Sequence, residues 1–331
     1  MSSQFQPCLK TSIANLCLDN YIFNASGPRC TTEAELLSLM NSHAAAVMTK
    51  SCTIQPREGN AEPRYKALPL GAIQSMGLPN LGYEAYLEML PRLKQADSSK
   101  ALSSEPIPSK PIPSKPIVVS VSGFCVSDNV TMVKAFQQSS ADLIEVNFSC
   151  PNIEGKPQLG YDFEQTEQAL EAICGLGDKP IGLKLPPYFD FSHFSSMANV
   201  IKKFPVKFIT CINSVGNTLV IDPDTESAII KPKGGFGGLC GDYIKPIGLA
   251  NVRAFRELLP DSIDVIGVGG IKSGSDAFEY LLAGASAVQI ATCYENEGTQ
   301  CFERITAELI EILAAKQYPN IAAAKGKLKL L

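Results

Sequence analysis

Residues 145–158 read Glu-Val-Asn-Phe-Ser-Cys-Pro-Asn-Ile-Glu-Gly-Lys-Pro-Gln. Just upstream, Ala-Asp-Leu-Ile at 141–144 leads into a short apolar run that predicts a buried strand. Two prolines and a glycine end that strand near Phe148. Cys150 therefore lies just past a strand's carboxyl end, between the amides of Asn147 and Asn152. A single cysteine is more often a small buried hydrophobic residue. Its position in a loop, beside two amides that a core would not leave unpaired, favours a thiol that abstracts a proton from a small polar ligand.

The alternation of strand and helix extends through most of the chain. It predicts strands at 21–25, 44–50, 117–122, 142–148, 180–185, 207–213, 263–268 and 286–291. It predicts helices at 32–41, where Thr32 is the N-cap, and at 83–95, 127–139, 163–174, 191–203, 244–259, 275–283 and 297–316, with a short hairpin pairing 220–221 with 228–230. Regular alternation implies parallel strands, and eight units imply a closed (β/α)8 TIM barrel over residues 1–331.

An open, doubly wound sheet is the second fold to consider. It requires a Gly-x-Gly-x-x-Gly turn after the first strand, and Ala-Ser-Gly-Pro-Arg at 25–29 does not match that pattern.

Composition narrows the class of protein. The 331 residues are 45% hydrophobic and 19% charged, with a net charge of −4 and no basic block, which argues against a nucleic-acid partner. Eleven cysteines without metal-binding spacing predict a reducing compartment. There is no signal-peptide pattern and no apolar run near the roughly 18 residues of a membrane span, so we expect a cytoplasmic protein with no membrane contact. Two histidines without partner motifs give little support to a Ser–His–Asp hydrolase.

One segment departs from this pattern. Residues 97–116 are rich in Pro and Ser and repeat Pro-Ile-Pro-Ser-Lys at 106–110 and 111–115. The prolines preclude a helix or a central strand, so we expect a surface insertion between the second helix and the third strand. It could dock into an aromatic groove, but its place in a helix-to-strand loop puts it opposite the catalytic face of the barrel.

The carboxyl ends of the barrel strands carry two further signals. Gly269-Gly270 and Thr292 end the last two strands, where barrels often bind a phosphate group. Lys184 and Lys50 end two other strands. A lysine in a barrel mouth is costly unless it faces an anion or a ring that accepts charge, such as a reduced flavin. A pair of solvated lysines is the competing interpretation.

Six ordered motifs carry a resemblance to a known family: Thr-Lys-Ser-Cys-Thr at 49–53, Ser-Met-Gly-Leu-Pro-Asn at 75–80, Asn-Phe-Ser-Cys-Pro-Asn at 147–152 with Gly-Lys-Pro-Gln at 155–158, Lys-Leu-Pro-Pro-Tyr-Phe-Asp at 184–190, Ile-Asn-Ser-Val-Gly-Asn at 212–217 and Gly-Val-Gly-Gly-Ile at 267–271. From about residue 12 to 328, outside the insertion, the chain resembles the dihydroorotate dehydrogenases, specifically their soluble, fumarate-using class.

That resemblance implies an FMN-dependent barrel enzyme, usually a cytosolic homodimer. It would oxidise (S)-dihydroorotate to orotate in pyrimidine synthesis and pass the electrons to fumarate, giving succinate. Cys150 would be the general base at C5, while hydride leaves C6 for flavin N5. Because the ordinary pKa of a cysteine thiol is about 8.5, we expect activity to rise on the alkaline side of neutral. A nearby Arg57 could lower that pKa.

The resemblance also assigns individual positions. The substrate pocket would comprise Lys50, Gln74, Met76, Gly77, Leu78, Asn147, Asn152, Asn213 and Ser214. The FMN contacts would be Ala25, Ser26, Gly27, Lys50, Ser51, Asn147, Lys184, Ser214, Gly241, Gly269, Gly270, Ala291 and Thr292.

Three positions differ from the family pattern. Gln74 replaces an Asn, which puts one orotate contact in doubt, while Cys240 and Ala291 replace glycines beside the expected phosphate, where a Cβ could crowd the backbone. Gln74 keeps open a related flavin oxidoreductase that acts on another pyrimidine-like ring. An NAD-linked relative with an iron–sulfur partner subunit is also compatible with the motifs, as is a non-catalytic paralogue that binds partners through the Pro-rich repeats.

Overall fold

A computed structural model describes residues 6–101, 115–152, 155 and 158–331. Within these residues the strands are β1 (Thr11–Ile13), β2 (Leu16–Leu18), β3 (Ile22–Asn24), β4 (Val47–Met48), β5 (Tyr65–Leu68), β6 (Gly71–Gln74), β7 (Ile117–Val121), β8 (Leu143–Asn147), β9 (Ile181–Leu185), β10 (Phe208–Cys211), β11 (Val215–Leu219), β12 (Ile221–Asp222), β13 (Ser227–Ala228), β14 (Phe236–Gly241), β15 (Asp264–Val268) and β16 (Ala287–Ile290).

The helices of the same residues alternate with most of these strands. They are α1 (Glu33–Met40), α2 (Tyr83–Ala101), α3 (Val126–Gln137), α4 (Phe163–Ile173), α5 (Phe191–Ile201), α6 (Lys245–Leu258), α7 (Gly274–Ala283), α8 (Thr292–Glu297), α9 (Gln300–Ala315) and α10 (Ile321–Ala324).

Eight parallel strands form the barrel in the order β3-β16-β15-β10-β9-β8-β7-β4. The gap between β3 and β4 is bridged by the side chain of Asn24, which donates to the carbonyl of Met48 at 2.7 Å and accepts from its N–H at 2.9 Å. The Ala45 N–H also donates to the Ile22 carbonyl, at 2.8 Å. The predicted TIM barrel is confirmed, and the side chains of its strands are largely buried, as a sheet covered on both faces requires.

Local sequence signals explain several boundaries. Thr32 is the N-cap of α1 in a full capping box with Glu35, as its sequence predicts. The hairpin at 220–230 is also confirmed, as β12 paired with β13. The predicted strand at 44–50 is too long, because only Val47 and Met48 join the sheet.

A four-stranded antiparallel sheet in the order β11-β14-β6-β5 was not anticipated from the sequence. Its strands come from the long segments after β4 and after β10, which the sequence analysis assigned to loops. Gln74 of β6 pairs with Gly238 of β14, so this sheet joins two distant parts of the chain. It places residues of β6 and β14 against the carboxyl ends of the barrel strands.

The β1–β2 hairpin lies at the opposite end of the barrel. Thr11 donates to the carbonyl of Ser286 at 2.7 Å, and the Ala14 N–H donates to Asp264 at 2.8 Å, both at the amino ends of their strands. Burial of Ile13 and Leu18 shows that the hairpin covers this end of the core.

The second helix is longer than predicted. Helix α2 continues through Ala101, whereas the sequence placed its end at residue 95. Small polar residues and Lys can continue a helix, and the first proline of the segment comes only at Pro106. The repeats at 106–115 lie almost entirely outside the described residues. Among residues 6–101, 115–152, 155 and 158–331, no helix has both the length and the apolar composition needed to cross a membrane.

Candidate active site

A cavity of about 760 Å³ opens at the carboxyl ends of the barrel strands. Its walls come from the strand ends and from the β6–β14 part of the four-stranded sheet. It is lined by every position that the sequence analysis assigned to the substrate or the cofactor: Ala25, Ser26, Gly27, Lys50, Ser51, Gln74, Met76, Gly77, Leu78, Asn147, Cys150, Asn152, Lys184, Asn213, Ser214, Gly241, Gly269, Gly270, Ala291 and Thr292.

The loop that carries Cys150 is held on both sides of the thiol. The Ser149 N–H donates to Asn147 Oδ1 at 3.0 Å, and Lys233 Nζ donates to the Pro151 carbonyl at 2.6 Å. Asn60 Nδ2 donates to the Asn152 carbonyl at 3.0 Å. Cys150 itself is half-buried. These bonds fix the backbone on which the thiol is presented to the cavity.

Asn147 and Asn213 form a chain of hydrogen bonds along one wall of the cavity. Asn147 Nδ2 donates to Ser51 Oγ at 3.2 Å, and Ser51 Oγ lies 2.8 Å from both Ser26 Oγ and Ser120 Oγ. Asn213 Oδ1 accepts from the Ser214 N–H at 2.7 Å, and Asn213 Nδ2 donates to the Ser149 carbonyl. The wall thus offers oriented amide and hydroxyl groups that suit a polar ring.

Gln74 lies at the centre of a second group of contacts. Its Oε1 accepts from the Met76 N–H at 3.0 Å and from Asn152 Nδ2 at 2.9 Å, and its Nε2 donates to Ser214 Oγ at 3.2 Å. The extra methylene of Gln, compared with Asn, lets one side chain join three predicted substrate residues. Asn152 Oδ1 is buried and has no hydrogen-bond partner among the described residues.

The loop at 76–80 contains two consecutive residues in the left-handed backbone conformation. Gly77 and Leu78 both have positive φ, at 73° and 57°, a conformation that costs a non-glycine residue about 1 kcal/mol or more. Arg57 supports the turn by donating from Nε to the Gly77 carbonyl at 3.2 Å, and its guanidinium lies 4.9 Å from the Phe124 ring centroid. These contacts give Arg57 a role in shaping the turn, while its effect on Cys150 stays a prediction.

The two lysines have different surroundings. Lys50 Nζ donates to the Gly27 carbonyl at 2.8 Å, whereas Lys184 is only 6% exposed and donates to Gln289 Oε1 at 3.2 Å. Burial lowers the pKa of Lys184 below its usual value, and the negative charge of Glu145 partly opposes that shift. Lys184 is therefore a buried amine at the cavity, and an electron-rich ligand there would stabilise its charged form.

Glu145 and Gln289 were missed as site residues. Both are fully buried and line the cavity. Glu145 Oε2 accepts from Thr210 Oγ1 at 2.7 Å and from Gln289 Nε2 at 3.4 Å, while Glu145 Oε1 has no hydrogen-bond partner among the described residues. A partial signal was present in the sequence, because Gln289 is the one polar residue of β16 and Glu145 lies between apolar residues of β8.

The far end of the cavity is made of glycine turns and a helix start. Gly241, Gly269 and Gly270 have φ of 82°, 128° and 67°, and Thr292 is the first residue of α8. An added Cβ at Gly241 would lie 2.4 Å from the Cα of Gly71, so a side chain there would collide with backbone. This backbone-lined end and the buried side chain of Lys184 suit a phosphate group and an electron-rich ring, respectively.

The two substitutions beside this end are accommodated. Ala291 has φ −121°, which any residue can adopt, and therefore does not need glycine. Cys240 lies within β14 and donates from Sγ to the Ala72 carbonyl at 3.3 Å. Burial raises the pKa of the Cys240 thiol, which keeps it neutral beside the cavity. Neither Ala291 nor Cys240 has the positive φ that favours glycine.

Comparison with known proteins agrees with this geometry. Residues 8–313 match the family model described as dihydroorotate dehydrogenase. The chain is 47% identical to the dihydroorotate dehydrogenase (fumarate) of Kluyveromyces lactis, over 98% of this chain and 99% of that protein. It is 48% identical to the protein of the same name from Saccharomyces cerevisiae, over 97% and 98%, and 47% identical to dihydroorotate dehydrogenase A (fumarate) of Lactococcus lactis subsp. cremoris MG1363, over 98% and 100%.

Structural comparison supports the fold. The crystal structure of ligand-free DHODH from Eimeria tenella matches with a TM-score of 0.80 at 20% identity, covering 99% of this chain and 93% of that one. The chain belongs to the dihydroorotate dehydrogenase family, whose members are flavin-dependent oxidoreductases.

Proposed function

We propose that this member of the dihydroorotate dehydrogenase family oxidises (S)-dihydroorotate to orotate with bound FMN, in pyrimidine biosynthesis, and uses fumarate as the electron acceptor, forming succinate. The observation that carries the proposal is the cavity itself. One chamber holds a loop thiol, a set of oriented amides and a buried lysine, and it lies in a chain 47% identical to enzymes named for this reaction over nearly their full length.

The substrate's carboxylate and ring need different partners. Lys50 and the backbone N–H groups of the turn at Gly77 and Leu78 supply positive charge and donors for a carboxylate. The amides of Asn147, Asn152 and Asn213 can pair with ring carbonyls and ring N–H groups. Several amides facing one cavity suit a cyclic imide better than an apolar ligand, because an apolar ligand would leave them unpaired.

Cys150 acts as the general base. Its thiolate takes the proton from C5 of dihydroorotate, so that the S–H bond forms as the C5–H bond breaks, and the electron pair left on C5 becomes part of the new C5=C6 double bond. When bound, the flavin supplies the hydride acceptor at N5 for the hydrogen that leaves C6. The bonds that hold Ser149, Pro151 and Asn152 keep the thiol in place for this transfer.

Lys184 and the glycine turns would hold the cofactor. The Lys184 cation would face the ring edge that gains negative charge on reduction, because a buried ammonium with a lowered pKa is stabilised by a nearby anion. The phosphate would lie at the backbone-lined end of the cavity, with the remaining contacts along its walls: Ala25, Ser26, Gly27, Lys50, Ser51, Asn147, Ser214, Gly241, Gly269, Gly270, Ala291 and Thr292.

An anaerobic titration tests the proposal. Purified protein is mixed with dihydroorotate while the visible flavin absorbance is followed, and fumarate is then added. We expect bleaching followed by recovery, and we expect Cys150→Ala to bleach at least about 100-fold more slowly while it keeps its flavin. Protein that cannot be loaded with FMN, or a flavin that dihydroorotate does not bleach, would contradict the proposed function.

The same proposal includes a homodimer in the cytoplasm. Leu219, Ile221 and Phe236, on or beside the four-stranded sheet, are 43%, 60% and 42% exposed, and this apolar surface suits contact with a second copy of the chain. Light scattering during size-exclusion chromatography is expected to give twice the 35.5 kDa chain mass. A concentration-independent monomer would contradict the dimer, and localisation of the tagged full chain tests the compartment.

A further inference from the structure

Two cysteines, Cys293 and Cys301, meet where α8 packs against α9. Both side chains are buried, and Cys301 is in hydrogen-bonding contact with Cys293. Tyr294 and Phe302, the residues that follow the two cysteines, pack with their ring centroids 5.2 Å apart. Arg304 lies three residues after Cys301, on the same face of α9, and its Nη2 lies 3.6 Å from Cys293 Sγ. The two thiols are therefore neighbours across the contact between the helices.

The Cys293 thiol also has a carboxylate and a guanidinium beside it. Its Sγ donates to Glu297 Oε1 at 3.3 Å, while Arg304 Nη2 donates to the sulfur at 3.6 Å and to Glu297 Oε1 at 2.8 Å. Contact with Cys301, burial and the negative charge of Glu297 raise the pKa of Cys293 in the resting protein. Transfer of the thiol proton to Glu297 neutralises that carboxylate and leaves the sulfur anion next to the Arg304 cation. The surroundings thus suit a thiol that loses its proton as it attacks.

Cys293 can be reached from the cavity, whereas Cys301 cannot. Cys293 directly follows Thr292, is 5% exposed and lines the cavity, while Cys301 is fully buried and is not part of the cavity wall. Such limited exposure excludes a bulky oxidant, but hydrogen peroxide is little larger than a water molecule. Cys293 is therefore the thiol that meets a small oxidant first, and Cys301 is placed to react with its product.

We propose that Cys293 and Cys301 form a dithiol site that hydrogen peroxide oxidises to a disulfide. Cys293 Sγ attacks one peroxide oxygen as its proton passes to Glu297, the O–O bond breaks, and the leaving hydroxide takes that proton and departs as water. Cys301 Sγ then attacks the sulfur of the resulting sulfenic acid, the S–O bond breaks, and the hydroxide leaves with the Cys301 proton as a second water. The two thiols together lose two electrons, and the peroxide is reduced to water.

The disulfide acts on the cofactor end of the cavity. It holds its two sulfurs about 2.05 Å apart, closer than two hydrogen-bonded thiols, so the first turn of α8 has to shift toward α9. That turn carries Thr292, one of the proposed FMN contacts. We therefore expect oxidation to weaken FMN binding at least about fivefold, with recovery after reduction by dithiothreitol. This effect on FMN rests on the proposed function, whereas the dithiol site does not.

Peptide mapping tests the site itself. Trypsin places both cysteines, and no others, in one peptide that spans residues 273–304. After peroxide treatment of the purified full chain, we expect this peptide to lose two hydrogen atoms and to resist alkylation until dithiothreitol is added. Cys240 is the internal control, because it lines the same cavity but donates to the Ala72 carbonyl rather than to a carboxylate. It should stay reduced at the same peroxide concentration.

Variants separate the roles of the residues. In Cys301→Ala, Cys293 should stop at the sulfenic acid, which a cyclic 1,3-diketone traps in the same peptide. In Cys293→Ala, Cys301 should stay reduced, because it does not reach the cavity. Glu297→Gln keeps the side-chain shape but removes the base, and should slow disulfide formation at least about tenfold. Glu303→Gln, which changes an exposed carboxylate of α9, should react at the wild-type rate.

The outcomes distinguish the dithiol site from the proposed function. A peptide 273–304 that stays reduced under peroxide, or oxidation of Cys240 to the same extent, would overturn the dithiol site, and this map of the wild-type protein needs no variant. A disulfide that leaves the FMN dissociation constant unchanged would overturn its effect on the cofactor. Protein that forms the disulfide but never binds FMN would contradict the proposed function and support the dithiol site.

Discussion

Lys184 Nζ lies 3.2 Å from Gln289 Oε1, although their strands, β9 and β16, are separated in the sheet by β10 and β15. The contact therefore crosses the interior of the barrel. Glu145 reaches the same point from β8 and accepts from Gln289 Nε2 at 3.4 Å. The side chains of Lys184 and Glu145 thus meet at the amide of Gln289 in a buried place, where the charge of either ionisable group strongly affects the other.

Neutralising Glu145 should make the bound flavin easier to reduce. Glu145→Gln keeps the shape of the side chain but removes a negative charge near Lys184, which would face the flavin in the proposed function. Negative charge that develops on reduction is then better stabilised, and we expect the midpoint potential at neutral pH to rise by about 30 mV, or about 1.4 kcal/mol for a two-electron couple. Spectroelectrochemical titration measures it.

Thr210→Val provides the control for that shift. It removes the 2.7 Å hydrogen bond to Glu145 Oε2 but leaves the charge of the carboxylate. The flavin midpoint potential should change much less in Thr210→Val than in Glu145→Gln, relative to the wild-type protein. Equal shifts in the two variants, or a fall in Glu145→Gln, would show that the charge of Glu145 does not act on the flavin.

Lys184 should give the apoprotein a distinct pH dependence of stability. Burial lowers its pKa in the folded protein below the usual value, so the folded protein loses this proton at a lower pH than the unfolded chain. Between the lowered pKa and the unfolded value, the unfolded chain binds more protons, and stability from this group rises with pH by up to about 1.4 kcal/mol per pH unit.

Comparison with Lys184→Met separates the contribution of Lys184 to stability from that of other groups that titrate at alkaline pH. The free energy of unfolding of flavin-free protein is measured by urea denaturation for both forms across neutral to alkaline pH. The wild-type value minus the variant value should increase as pH rises. A difference that is constant with pH would mean that Lys184 does not titrate differently in the folded and unfolded states.

The contact between Lys233 and the loop that carries Cys150 predicts a kinetic effect. Lys233 Nζ donates to the Pro151 carbonyl, next to Cys150, and contacts Asn217 Oδ1 at 3.4 Å. Loss of a charged hydrogen bond of about 1.5–3 kcal/mol should loosen the loop that presents the thiol. We expect Lys233→Met to reduce the rate of flavin bleaching by dihydroorotate about three- to tenfold, with unchanged flavin content.

Lys231→Met is the matched control, since Lys231 is an exposed lysine two residues away. Stopped-flow absorbance gives both rates. If the two variants bleach at the same rate as the wild-type protein, the bond to Pro151 does not contribute to catalysis.

The sequence predicted the barrel because each strand is a short apolar run with a clear turn signal after it. The same reasoning missed β5, β6, β11 and β14, because their residues lack the alternation of a half-buried strand. The pairing of β6 with β14 also joins residues that are 168 positions apart, as for Ala72 and Cys240. Tertiary contacts alone define that sheet. Gln74 shows the consequence: its identity was visible in the sequence, but its bond to Ser214 depends on this pairing.

Cys150 and the glycines were identifiable because their chemistry is unusual for their positions. Glu145 and Gln289 were not identified, since a polar residue in an apolar strand can face either the barrel interior or the helices. Only the register of the closed barrel places both side chains beside Lys184.

Gly270 and Gly234 form a matched pair for the glycine turns. Their φ values are 67° and 64°, so alanine has a similar backbone cost at each. An added Cβ at Gly270 would lie 2.6 Å from Lys245 Cβ and 3.0 Å from the Gly241 carbonyl oxygen, whereas no heavy atom lies within 4 Å of one at Gly234.

We expect Gly270→Ala to be less stable than Gly234→Ala by about 1–3 kcal/mol and to bind FMN at least tenfold more weakly, because the turn must shift at the proposed phosphate site. Urea denaturation and FMN titration of the apoprotein measure the two effects. If the variants are equally stable and bind FMN equally well, the packing around Gly270 does not shape the cofactor site, and the backbone conformation alone accounts for glycine there.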